Sequence, residues 1–225
     1  MTPEAVDRRG RVFELLYRDG CTCVVDDPRT NRKQRFNFRT QFVCDVYFPS
    51  GKVVACDPTD GLCFGTTPFT RTIPRGTYSV YVSVSGPARR PKVMSAKLER
   101  DSIAPDKWEL ALRPKQNIKR LKKREFFGFG VDAGMAAVGD HETFQITNSK
   151  HDRDQWWESI VDGWKTHQEW SVPSSKRHNI AMFASGLGDG HYPSFWGTTK
   201  RGRVLCLVID FCVIPWDSDP AGWLC

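Results

Sequence analysis
The run G-T-Y-S-V-Y-V-S-V-S at 76–85 constrains this 225-residue chain more than any other stretch. Tyr78, Val80, Val82 and Val84 point one way, and Ser79, Tyr81, Ser83 and Ser85 the other. That period of two belongs to a half-buried β-strand. Phe42, Cys44, Val46 and Phe48 alternate with Val43, Asp45 and Tyr47 in the same way. Met94, Ala96 and Leu98 continue the pattern, as do Trp108, Leu110 and Leu112. Turn clusters separate these runs: P-S-G at 49–51, after which Lys52–Cys56 reads as the returning strand, and D-P-T-D-G at 57–61. Short strands divided by turns predict a mainly antiparallel sheet, a sandwich or an open barrel.

The period then changes. Trp157, Ile160, Val161, Trp164 and Gln168 recur at three-to-four spacing, with acidic residues near the start and Asp152 as a cap. One long amphipathic helix is therefore expected over 152–170, giving an α+β fold. Asn179–Ala184 and Arg203–Ile214 read as the last strands. Residues 1–40 are charged and broken by turn signals. They read as an N-terminal extension or added element, with Arg11–Tyr17 a short helix or strand and 26–35 a turn leading into a basic stretch. Residues 41–225 read as a single β-rich domain.

Charge narrows the partners only slightly. The 33 basic and 26 acidic residues leave +7, compatible with nucleic acid, anionic lipid or acidic partners. The first apolar run, Val12–Tyr17, contains a glutamate and is too short for the core of a secretory signal. No run approaches the roughly 20 apolar residues of a membrane span. The expectation is a soluble cytoplasmic protein with no membrane association. The eight cysteines are irregularly spaced, and Cys21-Thr-Cys23 is not a zinc or redox pair, so free thiols and no metal site are expected.

Two glycine-rich, aspartate-bearing segments carry the strongest hint of a site. They are F-F-G-F-G-V-D-A-G-M-A-A-V-G-D at 126–140 and G-L-G-D-G-H-Y-P-S-F-W-G at 186–197. Glycine at that density permits tight loops, and loops of defined shape often carry function. Both segments join strands, so they are expected to lie close together. The ligand-binding candidates are Asp57, Asp132, Asp140, Asp189, His191, Tyr192, Trp196 and Asp210. Converging carboxylates can hold a divalent cation or act as acid and base. The structural alternative for each is a turn or network residue: Asp57 precedes Pro58 in a turn expected beside solvent. Asp210 interrupts L-C-L-V-I-D-F-C-V-I and must be paired, hydrogen-bonded or neutral there, its structural reading being a buried aspartate that ties down the glycine loop. There is no nucleophile elbow, no P-loop, and no βαβ frame for a dinucleotide fingerprint.

The chain resembles the uncharacterised family known as domain of unknown function 4241. The matching segments are F-P-S-G-K-V-V-A-C-D-P (48–58), P-F-T-R-T-I-P-R-G-T-Y-S-V (68–80) and W-E-L-A (108–111). G-F-G-V-D-A-G-M-A-A (128–137), the stretch 179–197 and V-I-D-F (208–211) follow in the same order. The family more often has threonine at the position of Met135 and tryptophan at that of Leu187. The resemblance implies an intracellular globular domain and no particular reaction.

The favoured function is a non-enzymatic binding or interaction domain that recognises a small ligand or a protein through the paired glycine-rich loops. One alternative is a metal-assisted hydrolase-like enzyme using the aspartates. Another is a nucleic-acid-associated protein using the basic connector 113–125, which runs into Phe126 and Phe127. The sequence points to no cofactor and no oligomeric state.

Overall fold
The computed structural model describes residues 3–27, 32–59, 66–122, 125–146 and 178–225, with 154, 157, 158, 161, 162, 170–172, 174 and 175 between them. In chain order the elements begin with α1 (Pro3–Leu16), β1 (Thr22–Asp27), β2 (Arg32–Phe48) and β3 (Val53–Cys56). There follow β4 (Gly76–Ser85), β5 (Lys92–Glu99), β6 (Lys107–Leu110), β7 (Phe129–Val131), β8 (Met135–Asp140) and α2 (His141–Ile146). The last part holds β9 (Trp170–Ser171), β10 (Ser174–Ser175), β11 (His178–Asn179), β12 (Ala181–Ala184), β13 (Gly190–Tyr192), β14 (Ser194–Thr198) and β15 (Val204–Asp210).

The alternating run at 76–85 is β4, inside a seven-stranded antiparallel sheet of order β1-β2-β4-β5-β15-β14-β6. This sheet curls into a half-barrel. A four-stranded sheet, β3-β8-β12-β9, packs against it. Val80, Val82, Leu98 and Ile209 from the first sheet meet Ala55, Val138 and Phe183 from the second in one core. On the outer face of the larger sheet, α1 buries Val6, Val12, Phe13 and Leu16 against Phe36, Phe38, Met94, Phe195 and Val208. The layers are thus helix, sheet, sheet. Phe144 of α2 covers the far face of the smaller sheet, with Val54, Ala137, Ile180 and Met182.

The antiparallel β expectation holds, and four details differ from the sequence reading. First, Val53–Cys56 does not return onto β2. It crosses to the second sheet and pairs with β8. All four residues of β3 are buried, so this strand needs cover on both faces, which a hairpin partner alone would not supply.

Second, the basic stretch after residue 31 is strand. β1 and β2 form a hairpin with Cys23 opposite Phe36. Within β2, Phe36 and Phe38 face α1 while Val46 and Phe48 face the inter-sheet core, although all four numbers are even. The register shift between Phe42 and Cys44 is the cause, because one extra residue turns every later side chain to the opposite face.

Third, the N-terminus holds a 14-residue helix rather than a short element at 11–17. Pro3 opens it and Glu4 sits in its first turn, both suited to a helix start. Its apolar stripe is interrupted by Arg9 and Gly10, which hides the period. Gly10 is glycine because Trp108 lies on it: a Cβ there would collide with the indole ring.

Fourth, the helix expected over 152–170 lies largely outside the described residues. The described residues 154, 157, 158, 161 and 162 are helical, and no long amphipathic helix is evident among them. Trp170, expected to close it, is in β9 opposite Phe183. Packed against the inter-sheet core, it is positioned by strand pairing rather than by a helix end. No helix among the described residues is long and apolar enough to cross a membrane.

Arg9 sits mid-stripe because Asp210 waits beneath it. Its Nε and Nη2 donate to Asp210 Oδ2 and Oδ1, both at 2.6 Å. The side chains are 2% and 1% exposed. The backbone N–H of Cys212 donates to the same carboxylate at 2.9 Å. Burial works against the Arg9 charge, yet the adjacent carboxylate raises its pKa above the ordinary arginine value. The guanidinium also lies over the rings of Phe13 and Trp216, at 5.7 and 5.5 Å. Ser83 Oγ donates to the Leu16 carbonyl at 2.5 Å, satisfying one of the open acceptors at the helix end.

A disulfide between Cys21 and Cys225 corrects the expectation of free thiols for this pair. Backbone bonds between Thr22 and Leu224 and the stacking of Trp223 on Phe38 tie residues 223–224 to β1 and β2 beside it.

Removing one partner of a buried ion pair strands the other charge. Arg9→Met and Asp210→Asn are each expected to lower the unfolding free energy by about 3–5 kcal/mol. The double variant Arg9→Met with Asp210→Leu should recover part of that loss; urea denaturation of all three measures it. Closing a loop across most of the chain constrains the unfolded state, so the disulfide is expected to contribute about 2–4 kcal/mol. Reductant should lower the melting temperature of the wild type and leave the Cys21→Ala/Cys225→Ala variant, already destabilised, unchanged.

Candidate functional site
The two glycine-rich segments meet directly. β7 pairs with β13, placing Val131 opposite Gly190, Gly130 opposite His191 and Phe129 opposite Tyr192. The turn at 132–134 continues into β8, and the turn at 185–189 leads out of β12. The Ser185 N–H donates to the Gly134 carbonyl at 3.0 Å, and the Gly134 N–H donates to Asp189 Oδ1 at 3.0 Å.

The tip of the second loop is locked. Ser185 Oγ and Tyr192 Oη both donate to the Gly188 carbonyl, at 2.7 and 2.8 Å. Gly186 has φ 65°, and a Cβ there would lie 2.6 Å from the Val93 carbonyl oxygen, so no other residue fits without displacement. Leu187 is left 46% exposed at the apex.

Asp57 anchors the first loop. Oδ2 accepts from the Asp132 and Ala133 N–H groups at 2.8 and 2.9 Å. Oδ1 accepts from the Thr59 N–H and hydroxyl at 2.8 and 2.6 Å. Expected beside solvent, Asp57 is instead 1% exposed. Burial pushes its pKa up, but the Thr59 hydroxyl and the three N–H donors outweigh it and hold the carboxyl below the usual aspartate range.

Of the expected site residues, Asp57, Asp132, Asp189, His191 and Tyr192 come together at this ribbon, with the Tyr192 side chain buried. The other three go elsewhere. Asp140 lies at the opposite end of β8, where it accepts from the Ser50 hydroxyl, the Ser50 and Gly51 N–H groups, and the Glu142 N–H that begins α2. It is a turn anchor and a helix cap in one. Asp210 is committed to Arg9 on the outer face. Trp196 is 1% exposed and packs edge-on against Phe69 in the inter-sheet core. Tyr192 is 3% exposed, with its ring against Phe211 and its hydroxyl holding the loop.

His191 faces outward, its ring stacked on Phe126 at 5.9 Å, and Phe126 in turn stacks on Trp216 at 5.5 Å. Desolvation, then the nearby Arg113 charge, hold the His191 pKa below the ordinary histidine value. The imidazole is therefore neutral at pH 7. Arg113, which the sequence reading did not single out, donates to the Ala55 carbonyl at 2.6 Å and lies over Phe69. Burial lowers its pKa. No carboxylate pairs with it among the described residues. Arg9, Arg113 and Ser185 were missed because their roles depend on partners far away in sequence or on the backbone, whereas Thr59 donates to Asp57 only two residues away, within the turn cluster at 57–61. Only the need of Asp210 to be paired, hydrogen-bonded or neutral was visible beforehand.

Among the described residues, no group of three histidine, cysteine, aspartate or glutamate side chains is placed to hold a metal ion. In the basic connector, Lys115, Lys119 and Arg120 are exposed, and a short 3-10 turn spans Ile118–Arg120. Lys123 and Arg124 lie outside the described residues.

A carboxyl with a depressed folded pKa stabilises fully above its unfolded value of about 3.9 and loses that contribution as pH falls through the folded value. Asp57→Asn is accordingly expected to cost about 2 kcal/mol at neutral pH. The difference from wild type should stay constant above about pH 5 and vanish as pH falls through the lowered folded value. Chemical denaturation across that range measures it.

Among curated proteins and solved structures, none matches this chain. The family described as "Protein of unknown function (DUF4241)" matches residues 46–209, from the second half of β2 to the penultimate residue of β15. With most of its length covered by that match, and with the paired loops inside it, the chain belongs to the DUF4241 family.

Proposed function
We propose that this chain is a non-enzymatic interaction domain whose binding surface is the rim formed by the paired glycine-rich loops. The observation that carries this reading is the state of the 185–190 loop. Its backbone is fixed by Ser185, Tyr192 and Asp189, yet it presents Leu187 to solvent at 46% exposure. A single exposed leucine is ordinary on a protein surface, but this one stands on a turn held by hydrogen bonds, and an ordered apolar knob binds a partner with little ordering cost. Asp132, Asp189 and the neutral His191 are exposed on the same paired loops, polar groups that would supply a rim to an apolar anchor.

The hydrolase alternative draws less support. Asp57, Asp140 and Asp210 are consumed by structural hydrogen bonds, which leaves Asp132 and Asp189 as the exposed carboxylates of the set. Because a knob of this kind fits a shallow apolar cup, the favoured ligand is a protein or peptide rather than a small molecule.

Selection of a random peptide display library on the purified protein tests this. Selected peptides should shift the amide resonances of 130–134 and 186–191. Their affinity should fall at least about tenfold for Leu187→Asp, a loss typical of a central apolar anchor. The melting temperature of that variant should be unchanged. Peptides that map away from the loops, or bind Leu187→Asp equally well, would overturn the reading.

A further inference from the structure
On the outer face of the seven-stranded sheet, beyond the C-terminal end of α1, there is a cavity of about 340 Å³. It lies in the size range of small-molecule sites, and none of the candidate residues read from sequence lines it. Its floor is made by β5 and β15. Their register sets Glu99 opposite Cys206 and Lys97 opposite Val208, all facing α1.

Lys97 Nζ and Glu99 Oε1 are 2.9 Å apart, with side chains only 18% and 12% exposed. The ammonium sits 4.5 Å from the centre of the Tyr17 ring. Such a pair costs desolvation, and the outer face of a strand beneath a helix end could hold apolar residues instead. The walls are aromatic: Phe13 and Trp108 meet edge to face at 5.2 Å, and Tyr17 closes one side. Tyr17 Oη accepts from Ser95 Oγ at 3.0 Å and remains a neutral phenol, its pKa raised well above normal by burial. Glu14 stands exposed at the edge of the cavity, and the exposed loop 102–104 forms its outer lip.

We propose that this cavity binds a flat, uncharged heteroaromatic ring whose edge carries a hydrogen-bond acceptor beside a donor, the edge pattern of a nucleobase. Lys97 donates to the acceptor and Glu99 accepts from the donor. Phe13 and Trp108 cover the ring with apolar and π surface. The Lys97–Glu99 floor has no net charge, and Glu14 adds a negative one, so an anionic ring gains nothing for its lost hydration. The site is independent of the loop rim.

Saturation-transfer NMR and calorimetry with cytosine, adenine and uracil, and with benzoate as an anionic ring of similar size, test the proposal. At least one base should bind with a Kd of about 1 mM or tighter, and benzoate should not. Ala104→Trp, at an exposed lip position, should fill the cavity and abolish binding without lowering the melting temperature. Ser102→Trp does the same from the neighbouring position should the first variant fail to fold. Glu99→Gln should weaken binding about tenfold, because a charge-assisted bond becomes a neutral one. No saturable binding of any base, binding unchanged by the lip variants, or benzoate binding as tightly as the bases would each overturn it.

Discussion
The ion pair between Arg9 and Asp210 holds the outer layer of this protein to its sheet. Two charges with almost no contact with water are tolerated only when their hydrogen bonds are complete. Here the guanidinium fork meets both carboxylate oxygens, and Cys212 supplies a further donor. The pair fixes the rotation of α1 about its own axis, because Arg9 lies among Val6, Phe13 and Leu16 on the buried face. Trp108 then seats on Gly10, and the small cavity opens where the helix ends. Trp216 lies against the Arg9 guanidinium, Phe126 stacks on Trp216, and His191 stacks on Phe126. A run of packed rings thus reaches from the buried pair to the loop rim.

Buried carboxylates do the same kind of work elsewhere. Asp57 and Asp140 each gather backbone N–H groups from a turn that has no strand partner of its own. Buried N–H groups left without acceptors would be costly, and a carboxylate accepts several at once. This explains why aspartates sit beside the glycines in this sequence. The glycines allow the tight turns, and the aspartates satisfy what those turns leave open. Such a division of labour yields fixed loops, and fixed loops are good recognition surfaces because little entropy remains to be lost on binding.

The two candidate surfaces differ in chemistry. The loop rim presents an exposed leucine on the same paired loops as exposed polar groups, the features on which the proposed binding surface rests. The cavity beside α1 is concave, aromatic and floored by a donor–acceptor pair, which suits a small planar molecule. One belongs to the part of the chain shared with the family; the other also needs Phe13 of α1 and Tyr17 just after it, outside that match.

Period-two patterning was enough to specify β4, β5 and much of β2, because alternation between core and surface is a local property of a strand between unlike environments. The meeting of the two glycine-rich loops was also legible, since both sit between strands. A buried Asp210 in need of a partner followed from one charge in an apolar run. The sequence could not say that the partner is Arg9, 201 residues away. Nor could it show that β3 leaves its hairpin for another sheet, or that the bulge near Val43 turns β2 over. Those outcomes depend on which strand faces cover which, a balance struck only when the layers pack together. Residue type and spacing determined the strands, the turns and the need for charge pairing. Tertiary packing alone decided which distant groups meet that need, and therefore which aspartates are anchors and which side chains remain exposed.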